Sequence, residues 1–261
     1  MKPLISVITI NLNNATGLKK TIKSVIEQSE KVEFIIIDGK STDNSLDIIS
    51  SFNKKIDYFV SEKDSGIYNA MNKGVKIANG EYLYFLNSGD IFFKNDVITK
   101  LLQLIKKYNQ PDFIYGDTLV SYTNEKNNYV IRKELSLSNL KRGKKIPQQA
   151  YFTKKELIEK FMFDENYSLA ADFDLICKIF LNKDLLSIKI NEIICNFNGE
   201  GASSNLKKSY FETYLSILKN FGRLASLKYF ILFNSKLLAD KLLEITNLKK
   251  YFLNYRAKIK Q

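Results

Sequence analysis

The sequence contains no histidine, and only two cysteines and three prolines in 261 residues. Without histidine there is no histidine-based triad, no zinc–histidine site and no imidazole acid/base chemistry. Any catalysis must rest on carboxylates, amides, hydroxyls or lysines. Cys177 and Cys195 sit in apolar surroundings without metal-ligand spacing. They read as two reduced thiols of a cytosolic protein. Three prolines and eleven glycines leave no low-complexity linker to separate two globules. No run approaches the roughly 20 apolar residues that span a bilayer. The N-terminal MKPLISVITINLNN has no small-residue cleavage site, so it reads as a strand and not a signal peptide.

Apolar residues are plentiful, 45% of the chain with 13% aromatic, which is enough for a full core. The formal charge is +12, and it is unevenly placed. Residues 207–261 hold twelve Lys/Arg against three Asp/Glu, a net +9, while the first 206 residues net only +3. Such a basic segment suits an anionic surface, a membrane or a polyanion. A merely solvated basic tail is the plain alternative.

The first 90 residues alternate between two periods. LISVITI (4–10), FIII (34–37), residues 56–60 and YLYFL (82–86) are short apolar runs of the kind buried on both faces of a parallel sheet. Between them, 18–28, 45–52 and 65–79 place apolar residues at helical spacing. The pattern β-α-β-α-β-α-β predicts a doubly wound, mostly parallel α/β sheet, with ligands beyond the carboxyl ends of its strands. After residue 95 it changes: a helix over 96–107, antiparallel strands over 113–120 and 128–133, helices over 153–161 and 171–182, and a strand over 186–198. Helices are expected from Ser209, with Leu237, Leu238, Leu242 and Ile245 on one face of a second amphipathic helix.

Polar groups gather where the strands end. Asp38 closes FIII and can accept hydrogen bonds from a ligand, or Ser41, Thr42 or Asp43 can cap the next helix. In DSGIYNAMNKG (64–74), Lys73 can reach a phosphate or simply face solvent. EYLYFLNSGD (81–90) breaks from an aromatic strand into Asn87, Ser88, Gly89 and Asp90. A carboxylate at such a tip suits Mg²⁺ or Mn²⁺, which take one or two protein carboxylates plus substrate phosphates. A plain Gly–Asp turn has the same composition. In AADFDL, Asp172 and Asp174 open an apolar helix, one able to cap it and the other to act as a base.

These segments, SVITINLNN, IIIDGKSTDNS, DSGIYNAMNKG, GEYLYFLNSGD and AADFDL, resemble family 2 glycosyltransferases in order and spacing. The resemblance is strong over 1–95, fair over 145–205, and fades after 206. It implies a GT-A fold: a Rossmann-like, mostly parallel sheet flanked by helices, with a C-terminal helical extension. The expected organisation is a glycosyltransferase domain over 1–206, with a nucleotide-sugar half (1–95) and an acceptor half (96–206), then a basic amphipathic extension over 207–261. By resemblance, Thr9, Asn11, Asp38, Asn72, Lys73, Asn87 and Ser88 bind the donor, and Asp38 reads a uracil, so UDP is the expected nucleotide. NSGD is the counterpart of the Asp-x-Asp metal motif. Asp90 matches its last aspartate and the ligand of Mn²⁺ or Mg²⁺, and Asn87 stands where the first is usually Asp. Asp172 matches the catalytic base, with Ala171 in place of the motif's glutamate. Gln148 and Gln149 match a region near the acceptor.

The implied reaction is inverting transfer of a sugar, from a UDP-hexose, to a hydroxyl of a glycan or undecaprenyl-diphosphate-linked acceptor in O-antigen or capsule synthesis. The expected location is the cytoplasm, peripheral on the inner face of a bacterial membrane through 207–261. Competing readings are a polyanion- or nucleic-acid-binding protein, a catalytically inactive glycan-binding homologue, and a sugar-1-phosphate nucleotidyltransferase. The chain has no RNA-binding motif and no Gly-rich nucleotidyl-transfer loop.

Overall fold

A computed structural model describes residues 3–122, 127–199 and 206–245. The order of elements is β1 (Ile5–Asn11), α1 (Ala15–Ile26), β2 (Glu33–Asp38), α2 (Ser45–Ser51), β3 (Tyr58–Ser61), α3 (Ile67–Ile77), β4 (Tyr82–Phe85), β5 (Ile91–Phe92), α4 (Val97–Lys107), β6 (Phe113–Ser121), β7 (Tyr129–Ile131), α5 (Leu137–Lys141), β8 (Tyr151–Lys154), α6 (Lys155–Phe161), α7 (Ala171–Phe180), β9 (Ser187–Asn198) and α8 (Leu206–Ile245). A 3-10 turn, Gln148–Ala150, precedes β8.

The strands form one sheet in the order β3-β2-β1-β4-β8-β6-β9-β5, with β7 against β6. β1 pairs in parallel with β2 and β4, and β2 with β3, as the alternating pattern predicts. β6 and β7 are antiparallel, also as expected. Two strands escape the sequence reading, β8 and the two-residue β5. Tyr151–Lys154 falls where a helix over 153–161 is expected, yet it inserts antiparallel between β4 and β6, and the helix starts only at Lys155. The aromatic pair Tyr151 and Phe152 is fully buried by that insertion, a burial a helix start at 153 would not give.

Two cores follow from burial on both faces. Under α1, α2 and α4 lie Val7, Phe34, Ile36, Tyr82 and Tyr84. Under α3, α6, α7 and α8 lie Ile8, Ile35, Ile37, Phe85, Phe113 and Tyr151. The first half of α8 belongs to this second core: Glu212, Thr213, Ser216 and Ile217 are all buried. The chain expected to begin an extension at 207 thus packs on α7 as part of the main body. Gly222 interrupts α8 with φ 81°, a conformation that costs glycine little and a larger residue much. Beyond it Leu224, Leu227, Phe230, Ile231 and Leu232 are exposed. Residues 246–261, the rest of the basic segment, lie outside the described residues, as do the side chains of Leu242 and Ile245.

Candidate active site

The carboxyl ends of β1, β2 and β4 meet at one edge of the sheet, and the expected donor residues stand there in very different states. Asp38 has no exposed surface. Its Oδ1 accepts from Asn11 Nδ2 (2.7 Å) and Ser41 Oγ (2.5 Å), and its Oδ2 from Ser41 N (2.9 Å) and Ser61 Oγ (2.6 Å). Burial opposes ionisation, but the hydrogen bonds of Ser41, Ser61 and Asn11 outweigh it and hold the carboxyl below its ordinary value. Its four hydrogen bonds thus tie β1, the loop after β2 and β3 together at this point. The Asn11 amide nitrogen donates to Asp38, Ser41 (3.2 Å) and Ser45 (2.9 Å), and among the described residues its buried Oδ1 has no hydrogen-bond partner. Thr9 is buried and donates to Leu86 O (2.7 Å), tying β1 to β4.

Asn72 also faces inward and is buried. Its amide donates to Phe163 O (2.9 Å) and Glu165 Oε1 (2.8 Å) and accepts from Phe163 N (2.9 Å), latching α3 to the loop before α7. Lys73 is half-buried and paired with Glu62 (2.6 Å) and Asp64 (2.7 Å). Those partners hold its ammonium above the ordinary lysine value. Asp64 is the residue the sequence reading passed over. Its Oδ2 would lie 3.2 Å from a Cβ at Gly39, beside the exposed Leu12. The DSG segment carried that signal, since an acid on the loop after β3 must come to the same edge as the ends of β1 and β2.

In the NSGD turn Asn87, Ser88 and Gly89 are half-buried and Asp90 is buried. Gly89 takes φ 104°, and Thr21 of α1 clamps the turn, accepting from Gly89 N (3.0 Å) and donating to Asp90 O (2.7 Å). Asn14 Nδ2 donates to Ser88 O (2.9 Å). Asn87 is half-buried, and its Oδ1 has no hydrogen-bond partner. Asp90 turns inward and is not projected from the tip: it is 4% exposed and accepts from Gln149 Nε2 (2.5 Å) and Asn198 N (2.9 Å). Burial pushes its carboxyl up to about 7 against those two bonds. Each carboxylate oxygen keeps a further lone pair. With the orphaned Asn87 oxygen, the turn offers hard oxygen donors from two side chains, which fits a cation that takes its remaining ligands from substrate phosphates. Among the described residues no group of three or more His, Cys, Asp or Glu could hold a metal alone.

Gln149 and its neighbour link this turn to the acceptor side. Tyr84 donates to Gln149 O (2.9 Å), Tyr151 donates to Gln148 Oε1, and Gln148 Nε2 is buried without a partner. Asp172 opens α7, half-buried, and accepts from Tyr68 Oη at 3.2 Å. Burial raises its pKa, and the Lys145 ammonium, the Phe173 N–H and the Tyr68 hydroxyl oppose that. Ala171 is fully buried. The backbone ahead of Asp172 is fixed from α8, where Glu212 accepts from Ser168 N (3.0 Å) and Leu169 N (2.7 Å). Asp174 points away, to Lys178 (2.7 Å), Ser216 (2.9 Å) and Asn220 (2.8 Å), which leaves Asp172 as the available acid of the pair.

Residues 6–164 match the family described as Glycosyl transferase family 2. The chain belongs to that family. It is 32% identical over 216 residues to an uncharacterized glycosyltransferase of Mycobacterium tuberculosis, covering 79% of each chain. It is 28% identical over 208 residues to a PGL/p-HBAD biosynthesis glycosyltransferase of Mycobacterium bovis, covering 78% of this chain and 80% of that one. Among solved structures it resembles residues 1–349 of S. aureus TarS in complex with UDP-GlcNAc, with a TM-score of 0.67, 18% identity and 83% of this chain and 67% of that chain covered. The chain spans 40% of the longer TarS structure. It also resembles the mannosyltransferase PcManGT of Pyrobaculum calidifontis in complex with GDP-Man and Mn²⁺, with a TM-score of 0.64, 15% identity and 98% and 83% covered. The fold is the expected GT-A one, and the family is one of sugar transfer, not of nucleic-acid binding. Among the described residues no helix is long and apolar enough to cross a membrane.

Proposed function

We propose that this glycosyltransferase inverts the anomeric centre of a UDP-activated hexose as it transfers the sugar to a hydroxyl of a glycan or lipid-diphosphate-linked acceptor, in surface-polysaccharide synthesis. The observation that carries the reading is Asp172: a half-buried carboxylate on α7, held by the Tyr68 hydroxyl at 3.2 Å. Gln149 donates to Asp90 of the turn, and its neighbour Gln148 accepts from Tyr151.

Asp172 takes the proton of the acceptor hydroxyl. The freed oxygen attacks the anomeric carbon, and the bond to the diphosphate oxygen breaks on the opposite face. One base and one displacement give inversion. Tyr68 fixes the carboxylate. Gln148 Nε2, buried and unpaired, is placed to donate to substrate oxygen. Asn87 and Asp90 would hold Mn²⁺ or Mg²⁺, which as a Lewis acid offsets charge on the leaving diphosphate. Thr9, Asn11, Asp38, Asn72, Lys73, Asn87 and Ser88 would form the donor end of the cleft, where Asp38 and Asn11 shape the loop after β2 and Lys73 is ion-paired to Asp64.

The exposed apolar residues beyond Gly222 and the net +9 of residues 207–261 support a peripheral site on an anionic membrane, where a lipid-linked acceptor would be met. The test of function is hydrolysis and binding of a panel of UDP-, GDP- and dTDP-sugars, with Mn²⁺ or with EDTA, by wild type, Asp90→Ala and Asp172→Asn. Turnover of a UDP-sugar, lost with EDTA and in both variants, is the expected result. Binding of no sugar nucleotide by a folded protein would refute the reading.

A further inference from the structure

We propose that Lys145 is the fixed counter-charge of the Asp172 carboxylate, a positioning residue that holds the base in its anionic, hydrogen-bonded state. The proposal rests on the reading of Asp172 as the base. Lys145 lies between α5 and the 3-10 turn, in a stretch without helical or strand period. It is half-buried, its Nζ 5.4 Å from the centre of the Phe173 ring and 3.2 Å from Ser209 Oγ. Phe173 follows Asp172 directly. Among the described residues Lys145 makes no direct ion pair, although a desolvated ammonium is costly unless something compensates it. Asp172 and Glu212 are the acids whose charge reaches it, opposing the burial that lowers its own pKa.

The other groups around Asp172 do not supply a positive charge. From α3 comes the Tyr68 hydroxyl, a neutral donor. From β8 comes Tyr151, kept neutral by burial, its hydroxyl spent on Gln148. On α7, burial keeps the Cys177 thiol neutral, and Asp174 is turned to Lys178, Ser216 and Asn220. From α8 comes Glu212, whose carboxylate is used by Ser168 and Leu169. Lys145 is the cation of the set. Burial favours the protonated acid at Asp172, and a protonated acid cannot take the acceptor's proton. Burial leaves the Asp172 pKa above its ordinary value, and Lys145 heads the influences that oppose it.

The test is a ¹³C NMR titration of the full chain labelled at aspartate side-chain carboxyls, with Asp172 assigned by its missing signal in Asp172→Asn. In Lys145→Gln the Asp172 midpoint should rise by about one pH unit or more. In Lys145→Arg it should return to near the wild-type value. Lys145→Met, a second neutral variant, covers the case in which Lys145→Gln does not fold. With whichever sugar nucleotide the wild type hydrolyses, the acid limb of kcat/KM should move up by the same amount, with KM for the donor little changed. An Asp172 midpoint equal in wild type and both neutral variants would overturn the proposal. A midpoint that moves while Asp172→Asn keeps full turnover would instead overturn the base reading and leave the charge coupling standing.

Discussion

The proposed nucleotide and acceptor sides of the cleft satisfy their polar groups to different degrees. On the nucleotide side, Thr9, Asn11, Asp38 and Asn72 are buried, and their hydrogen bonds go to other parts of the chain. On the acceptor side, Asp172 is half-buried, and among the described residues Lys145 has no direct ion pair and Gln148 Nε2 no partner. A buried polar group without a partner costs on the order of 1–3 kcal/mol. Among the described residues the amide oxygens of Asn11 and Asn87 are unpartnered on the first side too, so the contrast lies in the two carboxylates. Asp38 is fully buried and holds four hydrogen bonds, and Asp172 is only half-buried.

Two substitutions break that contrast most sharply. Asp172→Asn keeps the size of the side chain and its Tyr68 contact but removes the proton acceptor. Turnover should fall about 10²–10⁴-fold, with the thermal midpoint near wild type. Asp38→Ala should do the reverse in stability. It removes a carboxylate with four hydrogen bonds and strands buried donors at Asn11, Ser41 and Ser61. A loss of about 2–4 kcal/mol is expected in urea unfolding. If Asp38→Ala left stability intact and abolished only UDP binding, Asp38 would be a ligand contact after all, and the contrast would fail.

The sequence made much of the nucleotide side legible, and for a physical reason. Strands buried on both faces must read as continuous apolar runs, and the crossover helices between them must carry a 3.6 period, so β1 to β4 and their helices are written in the residue pattern. Strand β8 was hidden because four residues, YFTK, are too few to show a period before the helix of KELIEKF begins. The site divides in the same manner. The motifs put Asp38, Asp90 and Asp172 at element ends, but a motif does not say which way a carboxylate turns. Asp90 turns in because Gln149 and Asn198, 59 and 108 residues away in sequence, supply donors. Lys145 lies in an aperiodic stretch and becomes notable only once α7 and α8 are packed around it.

Asp90 sits on the boundary between the two behaviours, and pH separates them. Its carboxyl is raised to about 7 in the fold, against about 3.9 in an unfolded chain. The fold therefore binds the proton more tightly. This contribution to stability is fully present below about pH 4 and is lost as pH rises through about 7. Asp90→Asn lacks the titration, so the thermal midpoint of wild type relative to this variant should fall from pH 4 to pH 7 and then level. A divalent ion prefers the carboxylate, so Mn²⁺ with UDP should raise the wild-type midpoint more at pH 8 than at pH 5.5, and should not do so in Asp90→Ala. An equal Mn²⁺ effect in wild type and Asp90→Ala would place the metal elsewhere.

The smallest expected effect concerns the two halves of α8, which extend the same contrast to the surface. Before Gly222 the helix is structural: Glu212 caps the approach to Asp172, and Ser216 and Ile217 are buried. After it, Leu224, Leu227 and Ile231 stand at i, i+3 and i+7 on an exposed face, 78%, 54% and 57% accessible, with Arg223 and Lys228 nearby. These exposed positions can be changed without touching the core, which tests the proposed membrane contact. Leu224→Glu, Leu227→Glu and Ile231→Glu together should lower co-sedimentation with vesicles containing phosphatidylglycerol several-fold, and leave the thermal midpoint and donor hydrolysis in solution unchanged. Removing 207–261 entirely is the wrong comparison, because it also removes Glu212 and exposes the α7 face, so loss of activity there would report on Asp172 and not on a membrane. Vesicle binding unchanged in the triple variant would leave this face without a membrane role.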